Sequence, residues 1–134
     1  MKNNYHTNSH SKYLIKLHLV LCVKYRKNLL VGSIKNDMMQ IIYDIAKEKG
    51  YTIDEMQSDI NHIHILVDVA PKFSALEIVH QIKQISTFRI YKSYKPFLKK
   101  HFWKENTFWN DGYFVCSTGD ASTETIKKYI AEQG

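Results

Sequence analysis

Apolar and polar residues alternate with a period of two from Lys12 to Arg26: Tyr13, Ile15, Leu17, Leu19, Leu21, Val23 and Tyr25 fall on one side, Lys16, His18, Lys24 and Arg26 on the other. Successive side chains of an extended strand point to opposite faces, so this stretch predicts a strand with one face in a core. Gly32-Ser33 then supplies a turn and a helix cap. Apolar residues at Ile34, Met38, Ile41, Ile42 and Ile45 predict an amphipathic helix that Gly50 stops. Residues 51–57 read as a weaker strand, Ser58-Asp59 as a turn, and His62–Val69 as a third strand. Ser74 opens a second helix with Leu76, Ile78, Val79, Ile82 and Ile85 as its apolar stripe, fading near Tyr94-Lys95-Pro96. A short helical piece, a loop, a fourth strand at about 112–117 and a last helix capped by Asp120 or Ser122 complete the chain.

The order strand, helix, strand, strand, helix, strand is the split βαβ arrangement. It predicts an α+β fold, ferredoxin-like or RRM-like, with an antiparallel sheet and two helices on one face. Residues 1–11 are expected to be loosely held, and 12–134 to form a single domain. The last helix, from about residue 121, is additional to that fold.

Composition narrows the function classes. The 44% apolar content suffices for a core in 134 residues, although a domain this small gains from an oligomeric partner. A net charge of +6, spread along the chain, suits a polyanion, and the nine Tyr, six Phe and two Trp offer rings on which bases stack. Most of those rings are expected in the core; Trp103 and Trp109 could stack bases but are read first as core or dimer packing. Cys22 and Cys116 lack metal-site or disulfide spacing and read as free buried thiols. The polar first ten residues and the lack of a long apolar run point to a soluble cytoplasmic protein.

Two features carry chemistry. His62 and His64 lie two apart in a strand, which puts both imidazoles on one face with backbones roughly 7 Å apart. That is close enough to converge on one cation. Ile63, Ile65, Val67 and Val69 take the opposite face, so the histidines occupy the face that the helices leave open. Asp68 shares the histidine face, but its backbone is roughly 14 Å along the strand from His64, which argues against coordination. The second feature is Tyr129 and Gln133, four apart and so on one side of the last helix. The apolar stripe of that helix is thin, essentially Ile126 and Ile130, and delivery of a phenol and an amide to the histidine face would give it a reason to dock.

Four segments then match a known family in order: Lys24-Tyr25-Arg26, Asn61-His62-Ile63-His64-Ile65-Leu66, Phe108 to Val115, and Ile126 to Gln133. From about residue 12 to residue 133 the chain resembles the HUH-type single-tyrosine transposases of single-strand insertion sequences, the IS200-like family. The resemblance implies that His62, His64 and Gln133 hold Mg²⁺ or Mn²⁺ and that Tyr129 is the nucleophile. It also implies a homodimer with possible trans active sites, and single-stranded DNA with hairpin ends as substrate. The implied activity is cleavage and rejoining of DNA through a 5′-phosphotyrosine intermediate. Such a bond retains the phosphodiester energy, which agrees with the absence of a nucleotide-binding Gly-rich loop. His18, Lys24, Arg26, Lys83, Arg89 and Lys92 are candidate DNA contacts. Gln133 stands in the last turn, where helix ends lack partners, so it is expected to order mainly with metal and DNA bound. The Gly134 carboxylate is a possible competing ligand. The alternatives are a noncatalytic single-stranded nucleic-acid-binding module on the same fold and a domesticated hairpin-processing nuclease.

Overall fold

The computed structural model describes residues 5–8, 10–117 and 123–133. Its elements are β1 (His6–Thr7), β2 (Lys12–Tyr13), β3 (Ile15–Cys22), α1 (Gly32–Lys49), β4 (Thr52–Ser58), β5 (His62–Val69), α2 (Ala75–Lys99), β6 (Phe114–Ser117) and α3 (Thr123–Glu132). Strands β3 to β6 form one antiparallel sheet in the order β4-β5-β3-β6. Strand β5 inserts between β3 and β4, which α1 joins, and β3 inserts between β5 and β6, which α2 joins. This is the expected pair of split βαβ units.

Strand alternation divides the sheet into two chemically different faces. Leu19 and Leu21 of β3 and Ile63, Ile65, Val67 and Val69 of β5 join Ile34, Met38, Ile42 and Ile45 of α1 and Ile78, Val79, Ile82 and Ile90 of α2 in one buried core. The opposite face carries Val20 and Cys22, onto which Ile126 and Ile130 of α3 pack. Register puts Val20 beside His64 and Cys22 beside His62, so α3 covers β3 next to the histidines.

Several local expectations are corrected. The first strand ends at Cys22 rather than Arg26, and Lys24–Arg26 is a 3-10 turn. Tyr25 and Arg26 adopt φ of 60° and 52°, which breaks the pleat and turns the Tyr25 ring outward. Ser33 does not cap α1; Val31 holds the N-cap position without a side-chain bond, and Gly32 enters at φ 56°. Gly50, at φ 91°, ends α1 as expected. Ser74 caps α2 through a reciprocal pair with Glu77. The expected fading near Pro96 is a kink: Tyr94 leaves helical geometry at φ −128° and the helix resumes to Lys99. Proline lacks the donor and crowds the preceding turn, which places the break there. Leu76 is exposed, off the α2 stripe, and Trp103 is exposed, outside the core; Trp109 is buried, donating from Nε1 to Ser86 Oγ at 2.9 Å. Cys22 is buried, whereas Cys116 is only partly so. Within the stretch read as loosely held, β1 pairs with β2 and His6 Nε2 bonds the Asp68 carboxylate at 2.9 Å. Asp120 and Ser122, the expected caps of α3, lie outside the described residues.

Ile65→Ala should lower unfolding free energy by about 2–5 kcal/mol in urea denaturation. Leu76→Ala should change it by less than about 0.5 kcal/mol. A comparable loss at both positions would contradict the assignment of the core face.

Candidate active site

His62 and His64 project from the face of β5 opposite the core, their ring centroids 5.1 Å apart. His18 joins them from β3, its ring 5.6 Å from that of His64. Asn61 fixes the first imidazole: His62 Nδ1 donates to Asn61 Oδ1 at 2.8 Å, which leaves Nε2 with its lone pair free. Burial lowers the pKa of His62 and of His18, and lowers that of His64 with a further push from the two neighbouring imidazoles. All three are therefore held in the neutral form near neutral pH, the form that ligates a cation.

The histidines open into a cavity of about 570 Å³ that Arg26, Asp59, Lys127, Ile130 and Ala131 also line. Arg26 reaches across to α3, donating from Nη1 to the Ala131 carbonyl at 3.4 Å. One wall of the cavity is thus a flank of α3, with two cations beside the imidazoles.

Tyr129 and Gln133 occupy the other flank. The Tyr129 ring stands 5.6 Å from that of Phe114 in β6. A Cβ on Gly112 would lie 3.5 Å from the Tyr129 hydroxyl and 3.7 Å from Gln133 Oε1. Asn110 Nδ2 donates to Gln133 Oε1. The expected constellation is therefore divided within one chain. His18, His62, His64 and Arg26 share a cavity, and Tyr129 and Gln133 turn away from it over β6. Among the described residues no three His, Cys, Asp or Glu side chains are already converged for a metal ion. Gln133 also has a partner that the chain-end argument did not foresee, and Gly134 lies outside the described residues.

The hydroxyl of Tyr129 is buried without a hydrogen-bond partner among the described residues. Burial, with a smaller contribution from Cys22, pushes its pKa up to about 12. In this arrangement Tyr129 is stowed rather than activated.

Among the candidate DNA contacts, the structure distinguishes structural from available cations. Lys24 is tied to Glu105 at 3.3 Å and Asp111 at 3.2 Å. Lys83 donates to the carbonyls of Asn110 at 2.7 Å, Asp111 at 3.0 Å and Gly112 at 3.4 Å, so it holds the loop that underlies Tyr129. Arg89 forms a two-pronged pair with Glu48 at 2.8 and 2.7 Å, joining α2 to α1. Lys92 lies 4.7 Å over the exposed Phe88 ring. Three site residues, Asn61, Asn110 and Gly112, were not singled out from sequence. Asn61 directly precedes His62, and Asn110-Asp111-Gly112 is a turn signal within a segment already matched.

The family model for IS200-like transposases matches residues 11–133. The chain belongs to the IS200-like transposase family. It is 32% identical over 121 residues to the ISDra2 transposase TnpA of Deinococcus radiodurans, covering 90% of this chain and 85% of that one. It is 27% identical over 125 residues to the transposase of insertion sequence element IS200 from Salmonella typhimurium, covering 93% and 80%. A solved structure of a Deinococcus radiodurans R1 protein described as a transposase superposes with a TM-score of 0.88 at 25% identity over 96% and 97% of the two chains. A REP-associated tyrosine transposase bound to a REP hairpin shares the fold alone, with a TM-score of 0.55 at 10% identity over 95% and 70%. Membership makes this chain a DNA-binding transposase, of a family that cleaves and rejoins DNA. No helix among the described residues is long and apolar enough to cross a membrane.

Removing the stowed hydroxyl should be tolerated. Tyr129→Phe should raise stability by about 1 kcal/mol in metal-free protein, read from the urea midpoint, because it deletes a buried polar atom without a partner. A loss of stability would show that the hydroxyl is bonded in this state.

Proposed function

We propose that this IS200-like transposase cuts single-stranded DNA at insertion ends by attack of the Tyr129 phenolate oxygen on a phosphorus atom. The new bond is a 5′-phosphotyrosine, the bond broken is that to the 3′-oxygen, and that oxygen leaves to take a proton. Rejoining runs the same exchange backwards with a 3′-hydroxyl of a second strand as nucleophile. The observation that carries this reading is the cluster of neutral imidazoles beside Arg26 and Lys127, roofed by the helix that bears Tyr129.

The donor set suits a divalent cation. His62 Nε2 is freed by Asn61, His64 lies beside it, and Gln133 supplies an amide oxygen once released from Asn110. A bound Mg²⁺ or Mn²⁺ would supply Lewis-acid stabilisation of charge on the phosphate. Arg26 and Lys127 hold the DNA backbone at the cavity mouth. Lowering the pKa of Tyr129 requires its hydroxyl to leave the apolar pocket under Gly112 for the cationic cavity. That transfer is made either by a shift of α3 over Val20 and Cys22 or by α3 of a second copy docking on this sheet. The second route makes the enzyme a homodimer with trans sites. Hairpins near the cleaved ends provide recognition, and the reaction takes place on DNA in the cytoplasm.

The noncatalytic alternative is less well supported. A sheet that stacks RNA bases needs open aromatic residues, whereas here α3 covers β3 and the flanking strand presents imidazoles.

With labelled single-stranded DNA carrying an insertion end and Mn²⁺, the wild type should form an adduct that survives denaturation, and Tyr129→Phe should form none. An adduct that persists in Tyr129→Phe would overturn the nucleophile assignment. Asn61→Ala should weaken Mn²⁺ binding about 10- to 100-fold in calorimetric titration, because it frees His62 to rotate and change tautomer. An unchanged affinity would place the cation elsewhere.

A further inference from the structure

The turn Lys24–Arg26 is built against its own backbone preference. Tyr25 and Arg26 are the non-glycine residues in the left-handed region among the described residues. Bulky side chains persist there only where the surroundings over-determine them, and such positions gather at ligand sites. The surroundings do so here: Val23 N donates to Asn61 O and Lys24 N to Phe108 O, each at 2.9 Å, and Arg26 N donates to Val23 O at 2.8 Å. The Lys24 side chain adds its ion pairs with Glu105 and Asp111.

The result is two consecutive side chains in two different cavities. Arg26 lines the histidine cavity. Tyr25 lines a separate cleft of about 280 Å³ together with Lys27, His101, Phe102, Trp103 and Lys104. Two large rings stand open in this cleft, Tyr25 at 62% exposure and Trp103 at 72%, while the Phe102 ring, 6.4 Å from that of Tyr25, is buried beneath. Keeping two aromatic planes in water is unfavourable unless something covers them. Lys27 and Lys104 form no ion pair among the described residues, and Glu105, the acid of the cleft, is committed to Lys24. An open aromatic pair flanked by unneutralised cations matches a base with its phosphates.

We propose that the Tyr25–Trp103 cleft stacks an unpaired nucleobase of the single strand whose neighbouring phosphate enters the histidine cavity beside Arg26. This rests on the reading of the chain as a single-strand transposase. The left-handed turn joins the two sites: it sends Tyr25 into the cleft and Arg26 into the histidine cavity, so one strand can present a base to the first and a phosphate to the second. A duplex cannot satisfy both, because its bases are already stacked and paired.

The test uses the full chain in EDTA with a 16-nucleotide oligothymidylate, followed by tryptophan emission and by anisotropy of a labelled strand. Binding should quench the emission of exposed Trp103. Trp103→Ala, and Tyr25→Asn, which keeps a side chain tolerant of the left-handed backbone, should each weaken oligothymidylate binding about 5- to 100-fold. Affinity for a 16-base-pair duplex should be unchanged. Equal single-strand affinity in the wild type and both variants would overturn the stacking site while leaving the transposase reading intact. The stacking site also falls if Trp103→Ala converts a dimer to monomer without altering DNA binding, which would make the cleft a contact between copies. A wild type that does not bind the oligothymidylate at all would likewise overturn the stacking site, whereas the transposase reading falls only if no adduct forms on a strand that carries the hairpin end.

Discussion

The pairing of β3 with β5 is the constraint from which the site follows. Its register sets Leu21 against Ile63 and Leu19 against Ile65 on the core side, and Val20 against His64 and Cys22 against His62 on the other. Because side chains alternate with a period of two, a slip of one residue would drive the imidazoles into an apolar core and expose a row of branched aliphatics. The hydrophobic drive that closes the core against α1 and α2 is therefore also what aims the histidines. Their chemistry costs the fold little. They stand on a face where the helices make no demand, half-buried enough to stay neutral.

The same face explains why α3 docks. Its apolar stripe consists of Ile126 and Ile130 against Val20 and Cys22, with Phe114 at the side. Arg26 on the Ala131 carbonyl and Asn110 on the Gln133 carboxamide add hydrogen bonds to that small apolar contact. On one flank the helix walls the histidine cavity with Lys127 and Ala131, and on the other it buries Tyr129 and Gln133 over β6. Tyr129 and Gln133 sit on one helix, so in the reaction proposed above a shift of α3 that frees the carboxamide from Asn110 would carry the phenol with it. Activation of the proposed nucleophile and completion of the proposed cation site would then be one event. In that reaction, the burial that pushes the Tyr129 pKa up to about 12 keeps its oxygen protonated until the phenol reaches the cavity.

The fold was legible because its signals are periodic. Alternation over 62–69 gives β5 to the residue, and the split βαβ order follows from the succession of periods. The shared face of His62 and His64 was legible because their spacing within β5 limits where they can point, whereas Tyr129 drew a role only from the family resemblance. What escaped was set by tertiary contact. Alternation runs on through Lys24–Arg26, yet the chain turns there because Asn61 and Phe108 hold its amides from outside the segment. Nothing in the local sequence records that. Trp103 and Trp109 are six apart, and the acceptor offered by Ser86, with the bridge to Val23, separates the core indole from the exposed one. Lys83, Lys24 and Arg89 read as a basic surface in the sequence, but internal carbonyls and carboxylates claim them.

Those claimed cations change the electrostatic picture of a chain with net charge +6. Lys24, Lys83 and Arg89 spend their charge on organising the 105–112 loop and the α1–α2 contact, so they contribute little local attraction for a phosphate. The charges left near the site are Arg26 and Lys127 at the cavity and Lys27 and Lys104 at the aromatic cleft. They flank one turn, which Asn61 ties by its carbonyl to Val23 and by its side chain to His62. A strand drawn to either pair of cations is thereby brought to the other. On the proposed reading, substrate capture and imidazole orientation would depend on the same asparagine, with a short turn rather than a broad basic surface setting where the DNA lies.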